Sequence, residues 1–419
     1  MIPTFREVLD EAGAILRKVG ALGAILVDVS PLARVERGYG GAAYQALRAQ
    51  IDPVLVAVRE QVRAGDLLTR DEREGDRFLL LLSPPRQMDA PFRVSDLRRL
   101  AERVEEFVGP RVARLAAPYL REQPRVEVGY GLVLHSPLES DERQVLRVLE
   151  DATECAELRR RQRERKEREA LFEIIHNRKI WTVFQPIVDM HSSEIMGHEG
   201  LSRGPRGGDL QSPLVLFGVA GRQGLLEELE RACRRQIFAD WGHMDASGRL
   251  FINTIPATVR DSSFLGRGVL DYLGKDIAPQ QVTLEITERE IIANLNLYRE
   301  AMQSFLDMGF TFAIDDVGAG YSGLETMATL GASYFKIDMG LVRDVHEKRV
   351  GQQVIKAIIE LGSEAGAIVI AEGVECKEEA AALKDLGVRF AQGYYYGYPV
   401  DPHAASATAA SRGVAASGS

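Results

Sequence analysis

The stretch Thr311-Phe-Ala-Ile-Asp315-Asp316-Val-Gly318-Ala-Gly320-Tyr321 runs four strand-like residues into two adjacent carboxylates and then a loop with two glycines. Side chains alternate along a strand, so paired acids at its mouth send one carboxylate inward and set the other on the turn. Neighbouring carboxylates repel, and a divalent cation is the usual physical reason for tolerating them. Glycine lets the loop backbone approach whatever such an ion holds. Taken alone, the stretch reads equally well as a solvated turn after a strand. The choice rests on the rest of the second half.

There the same pattern recurs, an apolar strand ending in a polar residue that faces a shared centre. The strands are Val183-Phe-Gln185-Pro, Ile195-Met-Gly-His-Glu199, Leu250-Phe-Ile-Asn253, Val282-Thr-Leu-Glu285, Phe312-Ala-Ile-Asp315, Tyr334-Phe-Lys336-Ile-Asp338, Ile368-Val-Ile-Ala-Glu372 and Phe390-Ala-Gln392-Gly. Helical spacing fills the intervals, as in Leu225, Leu226, Leu229, Ala232, Cys233 and Ile237. Met308-Gly309, Leu330-Gly331 and Leu386-Gly387 supply helix stops shortly before the next strand. Eight strand-helix units over residues 173–403 fit a (β/α)8 barrel, whose chemistry gathers at the C-terminal strand ends.

Glu199, Asn253, Glu285, Asp315 and Asp316 are all oxygen donors, a set that selects Mg2+ or Mn2+ over zinc. Such a set can hold two cations, and two metals a few ångströms apart suit phosphodiester hydrolysis. Lys336 is then placed to meet the attacking water or the developing charge. Glu372 is placed to take the proton of that water, and Arg203 to fork onto a phosphate oxygen. His198, beside Glu199, reads as a packed residue rather than a ligand. Asp338 and Glu375 read as structural hydrogen-bonding groups. Tyr394 to Tyr396 stand either to stack a base or to fill the core.

Composition bounds these readings. A chain of 419 residues accommodates two domains, and its 45% hydrophobic and 27% charged content is that of a globular protein. A net charge of -9 argues against general nucleic-acid binding. Cys155, Cys233 and Cys376 are far apart, which suits a reducing compartment and excludes a disulfide scaffold. The early charges of Met1-Ile-Pro-Thr-Phe-Arg-Glu and the strand-length apolar runs lead us to expect a cytoplasmic chain without a membrane span.

Residues 1–158 read as a separate α/β domain. Its strands are Ala24–Asp28, Phe78–Leu82 and Val126–Leu134; a helical stretch over 43–62 is interrupted at Pro53, and a helix is capped by Ser95. Residues 159–172, opening with Arg-Arg-Arg-Gln-Arg-Glu-Arg-Lys-Glu-Arg, read as a solvated linker helix. The Ala, Ser and Gly tail at 404–419 reads as disordered.

The second half resembles the EAL family of cyclic di-GMP phosphodiesterases. The matching blocks, in order, are Glu199-Gly-Leu-Ser-Arg203, Leu284-Glu285-Ile-Thr-Glu288, Ile314-Asp315-Asp316-Val-Gly-Ala-Gly-Tyr-Ser322, Phe335-Lys336-Ile-Asp338, Ala371-Glu372-Gly-Val-Glu375 and Gln392-Gly393. The resemblance implies that Glu199, Asn253, Glu285 and Asp315 ligate a first metal, and that Asp315 bridges to a second that Asp316 helps hold. It also implies that Lys336 and Glu372 manage the water, that Gln185, Arg203 and Gln392 contact substrate, and that Glu288 steadies the loop after Asp316. It further implies two Mg2+ or Mn2+ ions, a first barrel strand antiparallel to the rest, and homodimers through the barrel. A cyclic di-GMP receptor without turnover is the alternative that the same resemblance leaves open. Lys336 as an aldolase Schiff-base nucleophile is disfavoured by the surrounding acids, which keep the amine protonated. Gly200 stands where the family most often has Ala, and Val317 where it usually has Phe in the loop after the paired acids.

The first half resembles, degenerately, the GGDEF domain of diguanylate cyclases. Asp28 ends a strand, Glu74-Gly75-Asp76-Arg77-Phe78 replaces the signature, Val128-Gly-Tyr-Gly131 precedes a helix, and Glu36 and Arg37 stand at the guanine positions. Arg77 in place of a metal-binding acid implies loss of cyclase chemistry and a regulatory role, with GTP or a protein as the partner. Arg63-Ala-Gly-Asp66 has the RxxD form of the family's inhibitory site, and a surface pair at a helix end is the plainer account.

Overall fold

The structure, a computed structural model, describes residues 2–61, 65–71, 76–82, 93–120, 124–244, 248–254, 269, 273, 277–288, 291, 302–318 and 331–403. Arg63, Glu74, Gly75, Gly320, Tyr321 and the tail at 404–419 lie outside those residues. The chain divides into two units, Met1–Arg168 and Glu169–Ser419. No described helix is long and apolar enough to cross a membrane.

In the first unit, β1 (Ala21–Asp28) is the central strand of a four-stranded sheet completed by β2 (Leu67–Arg70), β3 (Arg77–Leu82) and β4 (Glu127–Leu134), in the order β2-β3-β1-β4. β1 runs antiparallel to both β3 and β4. It is apolar and buried from Ala21 to Val27 because helices cover both faces. Ile25 and Val27 pack toward the helices Gly41–Ala57 and Val94–Ala116. Ala24 and Leu26 pack toward Phe5–Val19 and Asp141–His176.

Glycines in β4 set the second of these contacts. A Cβ on Gly129 would collide with the Ala152 carbonyl and lie 2.6 Å from the Ala156 nitrogen; one on Gly131 would lie 2.9 Å from the Ala152 nitrogen. The helix therefore seats backbone against backbone on this strand. The sequence Val128-Gly-Tyr-Gly131 exists for that approach.

The sequence expectations differ from the structure at three places in this unit. Pro53 does not interrupt its helix, which runs Gly41–Ala57 with the proline exposed, so solvent can meet the carbonyl that loses its partner. Ser95 lies inside the helix Val94–Ala116, whose N-cap position is Arg93. The charged run is not solvated throughout either: the helix is continuous over Asp141–His176, and Arg159, Arg160, Arg161 and Arg163 are paired. Arg159 Nη2 and Arg163 Nη1 each lie 3.0 Å from Glu105, Arg163 also pairs with Glu127, Glu167 pairs with Arg125, and Arg159 donates to the Val128 carbonyl. Partners from the helix Val94–Ala116 and the β4 edge turn a solvated-looking charge pattern into a seam.

The second unit is a closed barrel in the order β10-β11-β12-β5-β6-β7-β8-β9. Its strands are β5 (Trp181–Asp189), β6 (Ile195–Arg203), β7 (Arg249–Asn253), β8 (Val282–Thr287), β9 (Thr311–Val317), β10 (Tyr334–Ile337), β11 (Ile368–Ala371) and β12 (Phe390–Gln392). β5 is antiparallel to both neighbours, as the family resemblance implies, and the other pairings are parallel. Gly309, Gly331 and Gly387, with φ of 97°, 68° and 98°, take the left-handed conformation expected of the helix stops. Val317 is not in the loop after the acids. It is the last residue of β9, fully buried in the barrel core.

We expect Gly129→Ala to destabilise the first unit by about 2–3 kcal/mol, the scale of an overpacked core, in urea unfolding of the full chain. A change below about 0.5 kcal/mol, the range of ordinary surface substitutions, would mean that the helix does not seat on β4.

Candidate active site

The barrel brings the polar strand residues to one centre. Asn253 ends β7 and stands in register with Glu285 of β8; Asp315 and Lys336 lie near the ends of β9 and β10, and Glu372 follows β11 directly. Glu199 and Gln185 sit mid-strand rather than at strand ends, because β5 and β6 extend to Asp189 and Arg203 as a long antiparallel pair. They face each other in register, which keeps both in the cluster.

Lys336 is the hub. Its Nζ lies 2.6 Å from Glu285 Oε1, 2.6 Å from Glu372 Oε1, 3.5 Å from Glu199 Oε2 and 3.6 Å from Asp315 Oδ1, and the side chain has no solvent exposure. Burial alone would lower its pKa, but Asp315, Glu199, Glu285 and Glu372 outweigh it and hold the ammonium protonated well above the usual lysine range. Four carboxyl groups thus stand against one ammonium. Burial pushes the Glu285 and Glu372 carboxyls well up, with neighbouring acids adding to it and Lys336 opposing. Burial also opposes ionisation of Glu199, but Lys336, Gln392 and Asn253 lower its pKa below the ordinary value.

The donor chemistry fits hard divalent cations. Among the described residues, neither buried Glu285 oxygen accepts an aligned hydrogen bond, and Lys336 touches it only as a charge. Oxygens of Asp315, Asp316 and Glu372 lie within 4.8 Å of one another. Carboxylate oxygens drawn from several strands onto one centre are what a hard divalent cation takes as ligands.

Glu199 is held by amides. Asn253 Nδ2 donates to its Oε1 at 2.9 Å and Gln392 Nε2 to its Oε2 at 2.7 Å. The same Gln392 nitrogen donates to Gln185 Oε1 at 3.1 Å, so Gln185 and Gln392 pair with each other as well as facing the site. Arg203 points its Nη1 to the adjacent Ser202 carbonyl at 2.9 Å rather than into the lysine cluster. Asp316 adopts φ 56°, a left-handed conformation tolerable for Asp, with its N–H on Asp315 Oδ1 at 2.9 Å. Glu288 accepts from the Gly318 N–H at 3.2 Å, which ties it to the chain just past Asp316.

The neighbours take structural parts. His198 points away from Glu199 on the strand's other face, its ring 5.7 Å from that of Trp241, and burial lowers its pKa. Asp338 caps the turn Met339–Val342 through Gly340 N at 2.9 Å, and Glu375 pairs with Arg343 at 2.9 Å. Tyr394 stacks on Tyr398 with centroids 4.7 Å apart, both rings exposed, so Tyr394 is not core. A Cβ on Gly200 would stand 2.8 Å from Ile237 Cγ2, so the missing methyl is matched by the packing behind it. Sequence reasoning missed Glu379, whose carboxylate accepts from Asp344 N at 2.9 Å and Glu375 N at 2.8 Å and so braces the loop carrying Glu372. The capping-box spacing from Cys376 to Glu379 was its available signal.

An eight-stranded barrel with one antiparallel strand and a buried acid-lysine centre defines the class. The EAL domain model matches residues 168–399, more than half of the 419-residue chain, and the chain belongs to that family. It is 26% identical over 406 residues to the bifunctional diguanylate cyclase/cyclic di-GMP phosphodiesterase MucR of Pseudomonas aeruginosa, covering 90% of this chain and 55% of MucR. It is 33% identical over 151 residues to the probable cyclic di-GMP phosphodiesterase PdeA of Escherichia coli, covering 36% of this chain and 21% of PdeA. The chain thus spans about half or less of these relatives' length. The EAL enzyme Bd1971, in its cAMP and cyclic-di-GMP bound form, aligns with a TM-score of 0.52 at 25% identity over 67% of this chain and 80% of that one.

Lys336→Met should destabilise the metal-free protein by about 3–5 kcal/mol at neutral pH, because it strips the buried carboxylates of their counter-charge. The loss should shrink as pH falls toward about 5, since Glu199, which burial disfavours as a carboxylate and Lys336 keeps ionised, takes up a proton once that charge is gone. Urea unfolding in a chelator at both pH values tests this; an equal loss at both would mean that the acids are not charge-coupled through Lys336.

Proposed function

We propose that the second unit hydrolyses cyclic di-GMP to linear pGpG in a metal-dependent reaction. The observation that carries this reading is the buried cluster of Glu199, Glu285, Asp315 and Glu372 around Lys336, with Asp316 at its edge. The names of MucR and PdeA, and the cyclic di-GMP bound to Bd1971, supply the substrate class. Glu199, Asn253, Glu285 and Asp315 would hold one cation, and Asp315 with Asp316 a second. Mg2+ or Mn2+ there supplies positive charge for the phosphoryl oxygens and acidity for water.

The chain's own groups do the rest. Glu372 orients the attacking water and takes its proton as the P–O3′ bond breaks, and the leaving ribose oxygen takes up a proton from solvent. Lys336, held as an ammonium, presents fixed positive charge to the phosphoryl group without reorganising. Arg203, Gln185 and Gln392 line the substrate side, and Glu288 keeps the backbone at Gly318 in place beside Asp316.

The first unit is, in this reading, a degenerate cyclase-like regulatory domain. Arg77 lies directly across from Asp28 in strand register, with Nε 3.1 Å from Asp28 Oδ2. A guanidinium thus takes the partner position where cyclase chemistry needs a divalent cation.

Purified full-length chain with Mn2+ or Mg2+ should turn over cyclic di-GMP, and Glu199→Ala should lower the rate by at least roughly 100-fold, the scale of losing a group that supports transition-state charge. Tight nucleotide binding in Ca2+ with no turnover in either metal would sink the enzyme reading and leave a receptor. Mn2+ binding should also release protons, because the raised carboxyls of Glu285 and Glu372 hold them until a cation displaces them. Affinity should therefore rise with pH, and calorimetry in buffers of different ionisation enthalpy checks it; a pH-independent affinity would contradict that protonation state.

A further inference from the structure

We propose that the segment after β12, residues 397–403, is a positioning strap that fixes the orientation of Glu199 through the side-chain amides of Gln185 and Gln392. This rests on the metal-dependent reading of the barrel site.

The segment returns along β5. Val400 and Phe184 exchange two backbone hydrogen bonds of 2.9 Å, which adds a short antiparallel rung to the edge of the barrel's reversed strand. Two anchors hold it there. Asp401 pairs with Arg206, whose guanidinium lies 3.8 Å over the Trp181 ring. His403 Nε2 lies 3.0 Å from Oδ1 of the buried Asp240, whose Oδ2 accepts from Thr182 N at 3.1 Å. The residues so engaged, Trp181, Thr182 and Phe184, immediately precede Gln185 on β5.

At its start the strap touches the site. The Gly397 carbonyl accepts from Gln185 Nε2 at 3.1 Å, Gln185 Oε1 accepts from Gln392 Nε2 at 3.1 Å, and that nitrogen donates to Glu199 Oε2 at 2.7 Å. A side-chain amide has a donor end and an acceptor end, so one fixed contact sets the polarity of the whole relay. With a backbone carbonyl on one side, Gln185 must turn its oxygen toward Gln392. Gln392 must then turn its nitrogen toward both Gln185 and the Glu199 carboxylate. Reversing the first amide would either set two NH2 groups against each other or, if Gln392 turned as well, put its oxygen against a carboxylate. The strap carbonyl therefore selects the arrangement in which Glu199 is gripped, and groups that orient a ligand in this way typically change metal affinity 10- to 100-fold.

Gly397 is built for the contact. A Cβ there would stand 2.7 Å from Pro186 Cγ and 3.3 Å from its Cδ, against a stiff ring in mid-strand. One added methyl therefore lifts the carbonyl away from Gln185 without touching the amides or the acids.

The test uses the full chain and two readouts, Mn2+ affinity by calorimetry without nucleotide, and kcat and KM for cyclic di-GMP. Gly397→Ala is expected to weaken Mn2+ binding without nucleotide by about 10-fold or more and to lower kcat in parallel. Pro186→Ala in the same chain removes the clash and is expected to restore affinity to within about threefold of the wild type. If Gly397→Ala does not fold, Gln185→Ala, which adds no atoms, is expected to weaken Mn2+ binding to the same extent. A strap that merely supports the fold would lower the thermal midpoint and leave Mn2+ affinity unchanged, and that result overturns the proposal. A wild type that binds Mn2+ but does not hydrolyse the nucleotide would overturn the phosphodiesterase reading while the Mn2+ series still decides the strap. A wild type that binds no Mn2+ overturns both.

Discussion

Four carboxylates on four strands cannot be buried together without positive charge among them, and Lys336 is the positive charge that the chain itself supplies. Desolvation acts against every ionised group in the cluster, and the mutual attraction offsets it only because the lysine stands at the centre rather than at the rim. Closure of the barrel follows from the same constraint. Each acid comes from a different strand, so only a complete ring brings them onto one ammonium. The surplus of carboxyl groups over the one ammonium makes the site receptive to divalent cations, and the low-dielectric surroundings strengthen whatever they hold.

Around that centre the structure holds acids in place with neutral donors. Asn253 and Gln392 grip Glu199, Gly318 N–H meets Glu288, and Glu379 collects the backbone N–H groups of the loop after Glu372. Amides and backbone groups add no net charge, so they orient carboxylates without competing with a cation. The antiparallel β5 has a second consequence. Its reversed direction opens an edge along which residues 397–403 run back and reach Gln185.

The first unit solves a similar charge problem in the opposite way. Asp28 at the end of β1 meets Arg77 from the neighbouring strand, and Glu105 and Glu127 meet Arg159 and Arg163 from the long helix. Permanent guanidinium groups neutralise those acids and leave no need for a metal. The helix can reach Glu127 because Gly129 and Gly131 let it lie directly against β4.

The strand pattern, the glycine stops and the type of donor at each strand end depend on local periodicity and side-chain chemistry, so the barrel, its oxygen-bearing side chains and the structural hydrogen-bonding role of Asp338 were legible in the chain alone. Local pattern cannot report what a strand lies beside. That is why Gln185 and Glu199 read as strand ends when they face each other in mid-strand, and why Val317 read as a loop residue when it closes β9 inside the core. It is also why Arg159 and Arg163 read as solvated when Glu105 and Glu127 were waiting for them. The amide relay from Gly397 to Glu199 joins residues about 200 positions apart, and only barrel closure could create it. Sequence determined which groups the site contains; tertiary structure decided which of them touch, because contact depends on strand register and direction rather than on spacing along the chain.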